Sequence, residues 1–149
     1  MKQTRPVMIV EDSDEDFEIT SWALQKAGFT GPLIRCMRAE EALRRWWSPA
    51  SSASERSDPL PFLVLLDLNL PGMSGIDFLD EVRHREQRPP VPIVILSTSN
   101  NPRDIAACYR QGAAGYLCKP LSIEHYVDKL HSLIQYWMQA VTLPPAGVY

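Results

Sequence analysis

Six polar side chains follow or end short apolar segments of the chain and could share one chemical task. They are Glu11 and Asp12, then Asp67, Ser97 and Thr98, and finally Lys119. Carboxylates held close together cannot all stay ionised without compensation, because like charges a few Å apart push at least one pKa upward. A divalent cation resolves that conflict. Since the candidate ligands are oxygens and no suitably spaced His or Cys accompanies them, we expect a hard ion such as Mg²⁺, which keeps several waters and leaves room for a phosphoryl oxygen.

Five short segments rich in Val, Ile and Leu are the elements that would bring these residues together. They occupy residues 7–10, 33–36, 62–66, 91–96 and 115–118. Segments of helical period follow them at residues 14–28, 39–47, 75–85, 104–111 and 123–140. Strands buried on both faces that alternate with helices predict a doubly wound α/β fold with one parallel sheet. Ligands bind outside the carboxyl ends of the strands in such a fold, so the polar residues are expected to meet at one edge.

Length, composition and charge indicate a single globular domain. A chain of 149 residues, 45% of them hydrophobic and 22% charged, fits one core. The net charge is -3 and the basic residues are scattered, so nucleic-acid binding is not expected. No apolar segment approaches the ~18 residues that a membrane span needs, and the amino terminus lacks the apolar core of a secretion signal. We therefore expect a cytoplasmic protein that does not contact membranes.

Four segments of the chain resemble the signature segments of response-regulator receiver domains, the CheY-like family. They are VEDS at residues 10–13, LLDLNLPGMSG at 65–75, ILSTS at 95–99 and GYLCKPL at 115–121. One such segment would be weak evidence, but four in the right order, each at the end of a predicted strand, form a specific signal. The resemblance covers nearly the whole chain and implies a flavodoxin-like receiver fold with the strand order 2-1-3-4-5.

The resemblance implies separate roles for the acidic residues. Asp67 would be the phosphoacceptor, and Glu11 and Asp12 would be the acidic pair around Mg²⁺. The backbone carbonyl of Asn69 would be a further metal ligand. Glu11 stands where Asp is more frequent in the family, and its carboxylate preserves the function. As a carboxylate nucleophile, Asp67 needs no separate base to attack a phosphoryl group.

The other site residues would bind the phosphoryl group and report its presence. The resemblance implies that Lys119 pairs with the phosphoryl group, and that Ser97, where Thr is more frequent, is the switch hydroxyl beside Thr98. Tyr116 would be the aromatic residue whose rotation reports phosphorylation, because inward movement of Ser97 vacates space for it. Pro120 resembles the cis-proline of the family, although a trans bond is the general expectation for any residue before proline.

A narrower resemblance concerns the partners. The Ser- and Pro-rich residues 48–61 predict a surface insertion. Together with three further segments, this insertion resembles the small regulators that partner phytochromes and other sensor kinases in bacteria. The segments are LDLNLP at residues 66–71, VILSTSN at 94–100 and QYWMQAVTLP at 135–144. This resemblance implies a sensor histidine kinase of phytochrome type as phosphoryl donor, and a downstream protein or phosphotransfer partner. One helix and a short tail follow residue 120, too little for a helix-turn-helix domain, so we expect a stand-alone regulator occupying residues 1–149 as one receiver domain.

An enzyme of the haloacid-dehalogenase phosphatase type is the alternative function, since these enzymes also use an Asp nucleophile after a strand of an α/β fold. They carry a second Asp two residues further on, and Asn69 at that position removes the general acid. A flavin-binding module of similar topology would need a phosphate-cradling loop after the first strand, but residues 11–16 are far too acidic for it. We therefore predict a non-enzyme that catalyses only its own phosphotransfer and dephosphorylation.

Two apolar surfaces are predicted to bind partners. Trp22 and Ile19 fall off the core-facing stripe of the first helix, and receivers that resemble this one offer that helix to the kinase. The stripe of the final helix continues to Trp137 and Met138, and at ~1.5 Å per residue that helix would overhang the sheet. We expect these residues and the tail at 141–145 to be exposed and to form a two-fold homodimer.

Overall fold

The computed structural model describes residues 5–46, 59–85 and 90–145. Its strands are β1 (Val7–Val10), β2 (Leu33–Cys36), β3 (Leu63–Asp67), β4 (Ile93–Ser97) and β5 (Gly115–Cys118). Its helices are α1 (Asp14–Lys26), α2 (Ala39–Trp46), α3 (Gly75–Arg83), α4 (Pro102–Arg110) and α5 (Ile123–Gln135), and a π-helical segment follows α5 at Tyr136–Ala140. Of the predicted insertion at residues 48–61, positions 48–58 lie outside the described residues.

All strand pairs of the sheet are parallel, and their order is β2-β1-β3-β4-β5. This confirms the predicted doubly wound fold and its strand order. β3 and β4 begin slightly later than the apolar pattern predicts, at Leu63 and Ile93. Pro92 has no N–H to donate to a neighbouring strand, so β4 begins after it. Both strands also end one residue later than predicted, so Asp67 and Ser97 are the last residues of their strands rather than the first residues beyond them.

Two apolar clusters cover the two faces of the sheet. Met8 and Val10 of β1 belong to the cluster that contains side chains of α2, α3 and α4. Val7 and Ile9 belong to the cluster that contains side chains of α1 and α5. Successive side chains of a strand point to opposite faces, so one short strand supplies both clusters. The sheet is thereby held rigid between two helical layers, which is what a site at its edge requires.

Side-chain caps begin α1, α3, α4 and α5. Ser13 accepts a hydrogen bond from the N–H of Asp16, and Ser74 accepts one from the N–H of Asp77. α4 begins at Pro102 rather than at residue 104, because Asn101 caps it and proline is well suited to the first helical position. No helix in the described part of the chain is long and apolar enough to cross a membrane.

α1 and α5 are joined by polar contacts as well as by apolar packing. The hydroxyls of Thr20 and Tyr126 lie 2.7 Å apart in the interior. Nδ1 of His131 lies 2.8 Å from the carbonyl oxygen of Ala27, the residue that caps the end of α1. A buried hydroxyl pair is stabilising only while both partners are present, so these contacts fix the spacing of the two helices.

The end of the chain corrects one expectation. Trp137 and Leu143, predicted to be exposed, pack against the apolar cluster of α1 and α5. Tyr136 and Met138 are the exposed residues, with 52% and 44% of their surface accessible. The prediction assumed that a regular α-helix extends beyond the sheet and leaves its last turns uncovered. Instead, α5 ends at Gln135, and the N–H of Val141 bonds to the carbonyl of Tyr136, five residues back, in a wider π-helical turn. Trp137 and Leu143 then cover part of the cluster.

Arg5 connects three segments at the opposite, amino-terminal edge of the sheet. Its guanidinium donates to the carbonyl oxygens of Leu60 and Pro61 at 3.2 and 2.8 Å. A longer bond of 3.4 Å reaches the carbonyl of Pro144. The start of the chain, the segment that enters β3 and the carboxyl-terminal tail therefore meet at one side chain.

Candidate functional site

The carboxylates of Glu11, Asp12 and Asp67 form a cluster in which the ligand oxygens lie within 4.8 Å of one another. Their proximity follows from the sheet, because Val10 pairs with Leu66 in the register of β1 and β3. The next residues along the two strands, Glu11 and Asp67, therefore emerge side by side. Glu11 is buried with 3% of its surface exposed, whereas Asp12 is exposed and Asp67 is partly buried. The predicted acidic cluster is thus present.

The charge of this cluster is poorly compensated. Burial, together with the hydrogen bond and the charge of Asp67, raises the pKa of Glu11 to about 7, although the ammonium of Lys119 acts in the opposite direction. Hard carboxylate oxygens are the donors that Mg²⁺ and Mn²⁺ prefer. A cation at this position would favour the ionised form of Glu11 and remove the repulsion. The residues therefore fit a divalent metal ion.

Asn69 holds one carboxylate oxygen of Asp67 in place. Its N–H donates to Oδ1 of Asp67 at 3.0 Å, in the connection that follows β3. The second oxygen of Asp67, Oδ2, lies on the side of Lys119, at 3.8 Å from Nζ. The two oxygens of the Asp67 carboxylate consequently face different partners, which orients the group.

Lys119 directly follows β5, and its side chain reaches the acidic cluster at the same edge of the sheet. Its Nζ lies 3.1 Å from Oε1 of Glu11. Burial by itself lowers the pKa of Lys119, but the charges of Asp67 and Glu11 outweigh burial and raise it above its ordinary value. The side chain therefore stays protonated. Nζ also lies 3.8 Å from Oδ2 of Asp16, a contact that the sequence analysis missed. The acidic first turn of α1 was its only signal, and that turn also fits a simple helix start.

A groove of about 180 Å³ borders Lys119. Its walls include Thr98, Ile19 of α1 and Tyr126 of α5.

The Lys119–Pro120 bond is trans, since the described residues contain no cis peptide bond. The cis-proline that the resemblance implied is therefore not present. The trans form is the more stable isomer of an X–Pro bond by about 0.5–1 kcal/mol.

The predicted switch residues, Ser97 and Tyr116, both form hydrogen bonds with Ser99. The buried hydroxyl of Ser97 accepts a hydrogen bond from the N–H of Ser99 at 3.1 Å. The carbonyl of Ser99 accepts from the hydroxyl of Tyr116 at 2.9 Å and from the thiol of Cys118 at 3.5 Å. Ser99 Oγ in turn donates to Asp104 at 2.6 Å. Ser97 and Tyr116 are therefore linked through the backbone of one residue.

Gly75 gives a test of how tightly the connection after β3 packs. A Cβ at Gly75 would lie 3.0 Å from both the carbonyl oxygen of Asp67 and Cα of Leu68. Because these are backbone atoms, we expect Gly75→Ala to destabilise the protein by about 1–3 kcal/mol, measured by urea unfolding. Gly115→Ala is the control, since its Cβ would meet only Val94 methyl groups at 3.6 and 3.7 Å. Equal stability of the two variants would contradict the expectation.

A comparison with known families finds one that covers the site. A family model of the response regulator receiver domain matches residues 7–131. The chain is 29% identical over 140 residues to response regulator Rcp1 of Synechocystis sp., over 94% of this chain and 93% of Rcp1. A structure of Rcp1 in its Mn²⁺-bound form is similar to this one with a TM-score of 0.77 and 28% identity, and the match covers 95% of this chain and 99% of that chain.

Two further solved structures are similar over the same extent. The response regulator RPA3017, described in red light signaling of R. palustris, has a TM-score of 0.85 and 30% identity, with 95% of this chain and 99% of that chain covered. The phosphorylated cyanobacterial phytochrome response regulator RcpA has a TM-score of 0.81 and 26% identity, again over 95% and 99% of the two chains. These similarities extend well beyond the strand-end motifs.

Proposed function

This chain belongs to the response regulator receiver domain family, and on that premise we propose that it accepts a phosphoryl group on Asp67 from a sensor histidine kinase and signals by protein contact. The observation that best supports the proposal is the position of the Lys119 ammonium, 3.8 Å from the Asp67 carboxylate and 3.1 Å from that of Glu11. Incubation with a divalent cation and acetyl phosphate should add one phosphoryl group to the intact mass. No uptake from acetyl phosphate or from phosphorylated kinases would contradict the proposal.

The proposed transfer uses the carboxylate of Asp67 as nucleophile. One oxygen attacks the phosphorus of a kinase phosphohistidine, a P–O bond forms as the P–N bond breaks, and the imidazole leaves with a proton taken from solvent. Lys119 offsets the charge of the incoming phosphoryl oxygens and stays protonated among its carboxylates. Ser97 and Thr98 would complete the binding of the phosphoryl group, from the end of β4 and the position after it.

Mg²⁺ is the cofactor that we propose for this site. When bound, it would neutralise charge on the equatorial phosphoryl oxygens. Glu11, Asp12 and Asp67 would hold it through their carboxylates, which lie close enough together to share one ion. The backbone carbonyl of Asn69 would add a ligand. The Mn²⁺-bound form of Rcp1 supports a divalent cation in a relative of this chain.

Signal output would begin at Ser97 and Tyr116. In this structure Ser97 Oγ is engaged by the N–H of Ser99. A phosphoryl group on Asp67 would offer Ser97 a stronger, charge-assisted partner. Loss of the bond to Ser99 would then disturb the carbonyl that holds the Tyr116 hydroxyl. We propose that this exchange couples phosphorylation to rotation of Tyr116.

A phosphatase-like enzyme remains the weaker reading of the same acidic cluster. The residue two positions after the proposed nucleophile is Asn69 rather than an acid, and its backbone N–H donates a hydrogen bond to Asp67. The chain therefore lacks the general acid that these phosphatases carry two residues after their nucleophile. We propose that the chain acts in the cytoplasm as one receiver domain and catalyses only its own phosphotransfer and dephosphorylation.

The proposed phosphoryl donor is a kinase of phytochrome type. RPA3017 and RcpA, described as response regulators of red light signaling and of phytochrome, support this choice. The docking surface would lie on α1 next to the groove at Lys119. Ile19 lines that groove, and Trp22, on the following turn, has 46% of its surface exposed. An exposed Trp beside a reactive site is typical of an interface anchor.

Replacement of Trp22 by Ala should slow phosphoryl transfer from the kinase about 10-fold, because a buried interface anchor would be lost. Transfer from acetyl phosphate should be unchanged, since Trp22 does not line the groove. Both rates can be followed by loss of labelled donor. Met37→Ala, which truncates another exposed apolar residue before α2, is the control. Equal slowing with both donors would point to a folding defect instead.

We propose a homodimer that uses the end of α5 and the π-helical segment. Tyr136 and Met138 are exposed there, and the ring of Tyr136 stacks edge-to-face on Trp137 with centroids 4.9 Å apart. A two-fold axis would bury this patch on both subunits at once.

The double variant Tyr136→Glu and Met138→Glu should be monomeric, because the two subunits together would bury four negative charges without partners in the interface. Sedimentation velocity at micromolar concentration measures the change. Gln139→Glu adds a charge to the same segment without removing an apolar side chain, and it should remain dimeric. A wild-type protein that is monomeric, with and without phosphorylation, would remove the dimer hypothesis.

A further inference from the structure

α2 contacts the connection between β3 and α3, residues 68–74, through one carboxylate. Oε1 of Glu40 accepts a hydrogen bond from the N–H of Met73 at 2.7 Å. This pair is 33 residues apart in sequence and joins a helix that carries none of the site residues to the segment that directly follows Asp67. A backbone N–H bonded to a carboxylate is among the stronger hydrogen bonds of a protein.

The rest of this β3–α3 connection is held on both sides of Met73. Leu68 and Leu70 are buried, and the N–H of Asn69 donates to Asp67. The N–H of Gly75 bonds to the carbonyl of Leu68 at 3.1 Å, which closes the segment into a loop. Met73 therefore belongs to the same closed loop as Asn69, next to Asp67.

Gly72 shows how closely this loop passes Glu40. Its backbone has φ of +73°, a conformation that favours glycine, and an added Cβ would lie 2.8 Å from Oε1 of Glu40. The hydrogen bond from Met73 is the largest cause that lowers the pKa of Glu40, and the charges of Arg38 and Arg44 add to it. The other carboxylate oxygen, Oε2, is buried without a hydrogen-bond partner among the described residues. The bond to Met73 is thus the tertiary contact that orients this carboxylate.

We propose that Glu40 is a positioning residue for the phosphoacceptor site: by holding Met73 it keeps residues 68–74 in the arrangement that the metal-ligating Asn69 carbonyl and the Asp67 carboxylate require. The inference rests on the proposed function. It assigns to α2, which is distant in sequence from the strand-end motifs, control over the affinity of the site for a divalent cation. Groups that orient the ligands of a metal commonly matter nearly as much as the ligands themselves.

Glu41 provides a matched control at the adjacent position. Its Oε2 also accepts a backbone N–H, from Met37 at 3.2 Å at the start of α2 itself. Alanine at either position removes one negative charge and one such hydrogen bond. Only Glu40 contacts the β3–α3 connection. Glu40→Gln is the second matched variant, because it removes the charge but keeps an oxygen that can accept from Met73.

Mn²⁺ binding by the full chain, measured by electron paramagnetic resonance of the free ion, tests the proposal. We expect Glu40→Ala to raise the Kd about 10-fold, at the lower end of the cost of losing an outer-shell partner. Glu41→Ala and Glu40→Gln should stay within about 2-fold of the wild type, and circular dichroism should show all variants folded. The rate of labelling by acetyl phosphate at limiting Mn²⁺ should fall in parallel for Glu40→Ala alone.

Two results would overturn the positioning role. Equal affinities of the Glu40→Ala and Glu41→Ala proteins would show that the contact with Met73 does not matter. Equal losses in Glu40→Ala and Glu40→Gln would show that charge, rather than the hydrogen bond, sets the affinity. A wild-type protein that binds no Mn²⁺ and accepts no phosphoryl group would instead contradict the proposed function.

Discussion

The Asp67→Asn variant is expected to lose phosphoryl uptake by roughly 10³-fold or more, as enzymes do when their nucleophile is replaced. The amide has nearly the shape of the carboxylate and can still accept the hydrogen bond from the N–H of Asn69, but it is a poor nucleophile toward phosphorus. The measurement is intact mass after incubation with acetyl phosphate, and with the phosphorylated kinase, in the presence of Mg²⁺. Labelling should disappear with both donors.

The fold of this variant should be at least as stable as that of the wild type. Asp67 raises the pKa of Glu11 through its hydrogen bond and its charge. Its neutralisation therefore relieves repulsion in the metal-free site, and the urea midpoint should rise. Asp77→Asn, on the exposed first turn of α3, serves as a control that keeps full labelling. Base-labile labelling that persists in Asp67→Asn would refute the assignment of the phosphoacceptor.

The second large effect is expected at the metal ligands. A protein with both Glu11→Gln and Asp12→Asn should bind Mg²⁺ at least about 100-fold more weakly, since loss of a mere outer-shell partner already costs roughly 10- to 100-fold. Two of the three carboxylates that converge at this position would become neutral. Isothermal titration calorimetry measures the affinity, and labelling by acetyl phosphate should fall with it.

General electrostatics must be separated from ligation in this test. Asp14 and Glu15 are exposed acids in the first turn of α1, and their conversion to Asn and Gln removes the same charge nearby. This control should retain Mg²⁺ affinity within about 3-fold, because surface charges are screened by solvent and salt. An unchanged affinity in the Glu11 and Asp12 double variant would exclude these residues as ligands.

The residues at the strand ends were predictable because their chemistry is carried by side-chain type. Asp67 and Lys119 follow apolar segments, and parallel strands must bring their carboxyl ends to one edge. Glu40 and Ser99 could not be found in the same way. Glu40 bonds to the backbone N–H of Met73, and Ser99 contributes its own backbone N–H and carbonyl. Almost every residue has these backbone groups, so no residue type in the sequence indicates the contact.

The errors of the sequence analysis have equally local causes. Trp137 was expected to be exposed because the length of the final helix predicted an overhang beyond the sheet, and a π-helical turn is not visible in apolar spacing. The resemblance indicated a cis bond before Pro120, against the general expectation for any residue before proline. The structure has a trans bond there. Periodicity thus located the helices correctly and failed where the hydrogen-bond pattern of one turn departed from it.

The contacts of Arg5 have a consequence for how this protein can diverge and be engineered. They gather the start of the chain, the segment entering β3 and the tail at the amino-terminal edge of the sheet. The proposed phosphotransfer site lies at the other edge. The segment that enters β3 can consequently lengthen, shorten or change sequence under little selection from the reaction. For the same reason, a fluorescent protein fused to the carboxyl-terminal tail should not obstruct the proposed site.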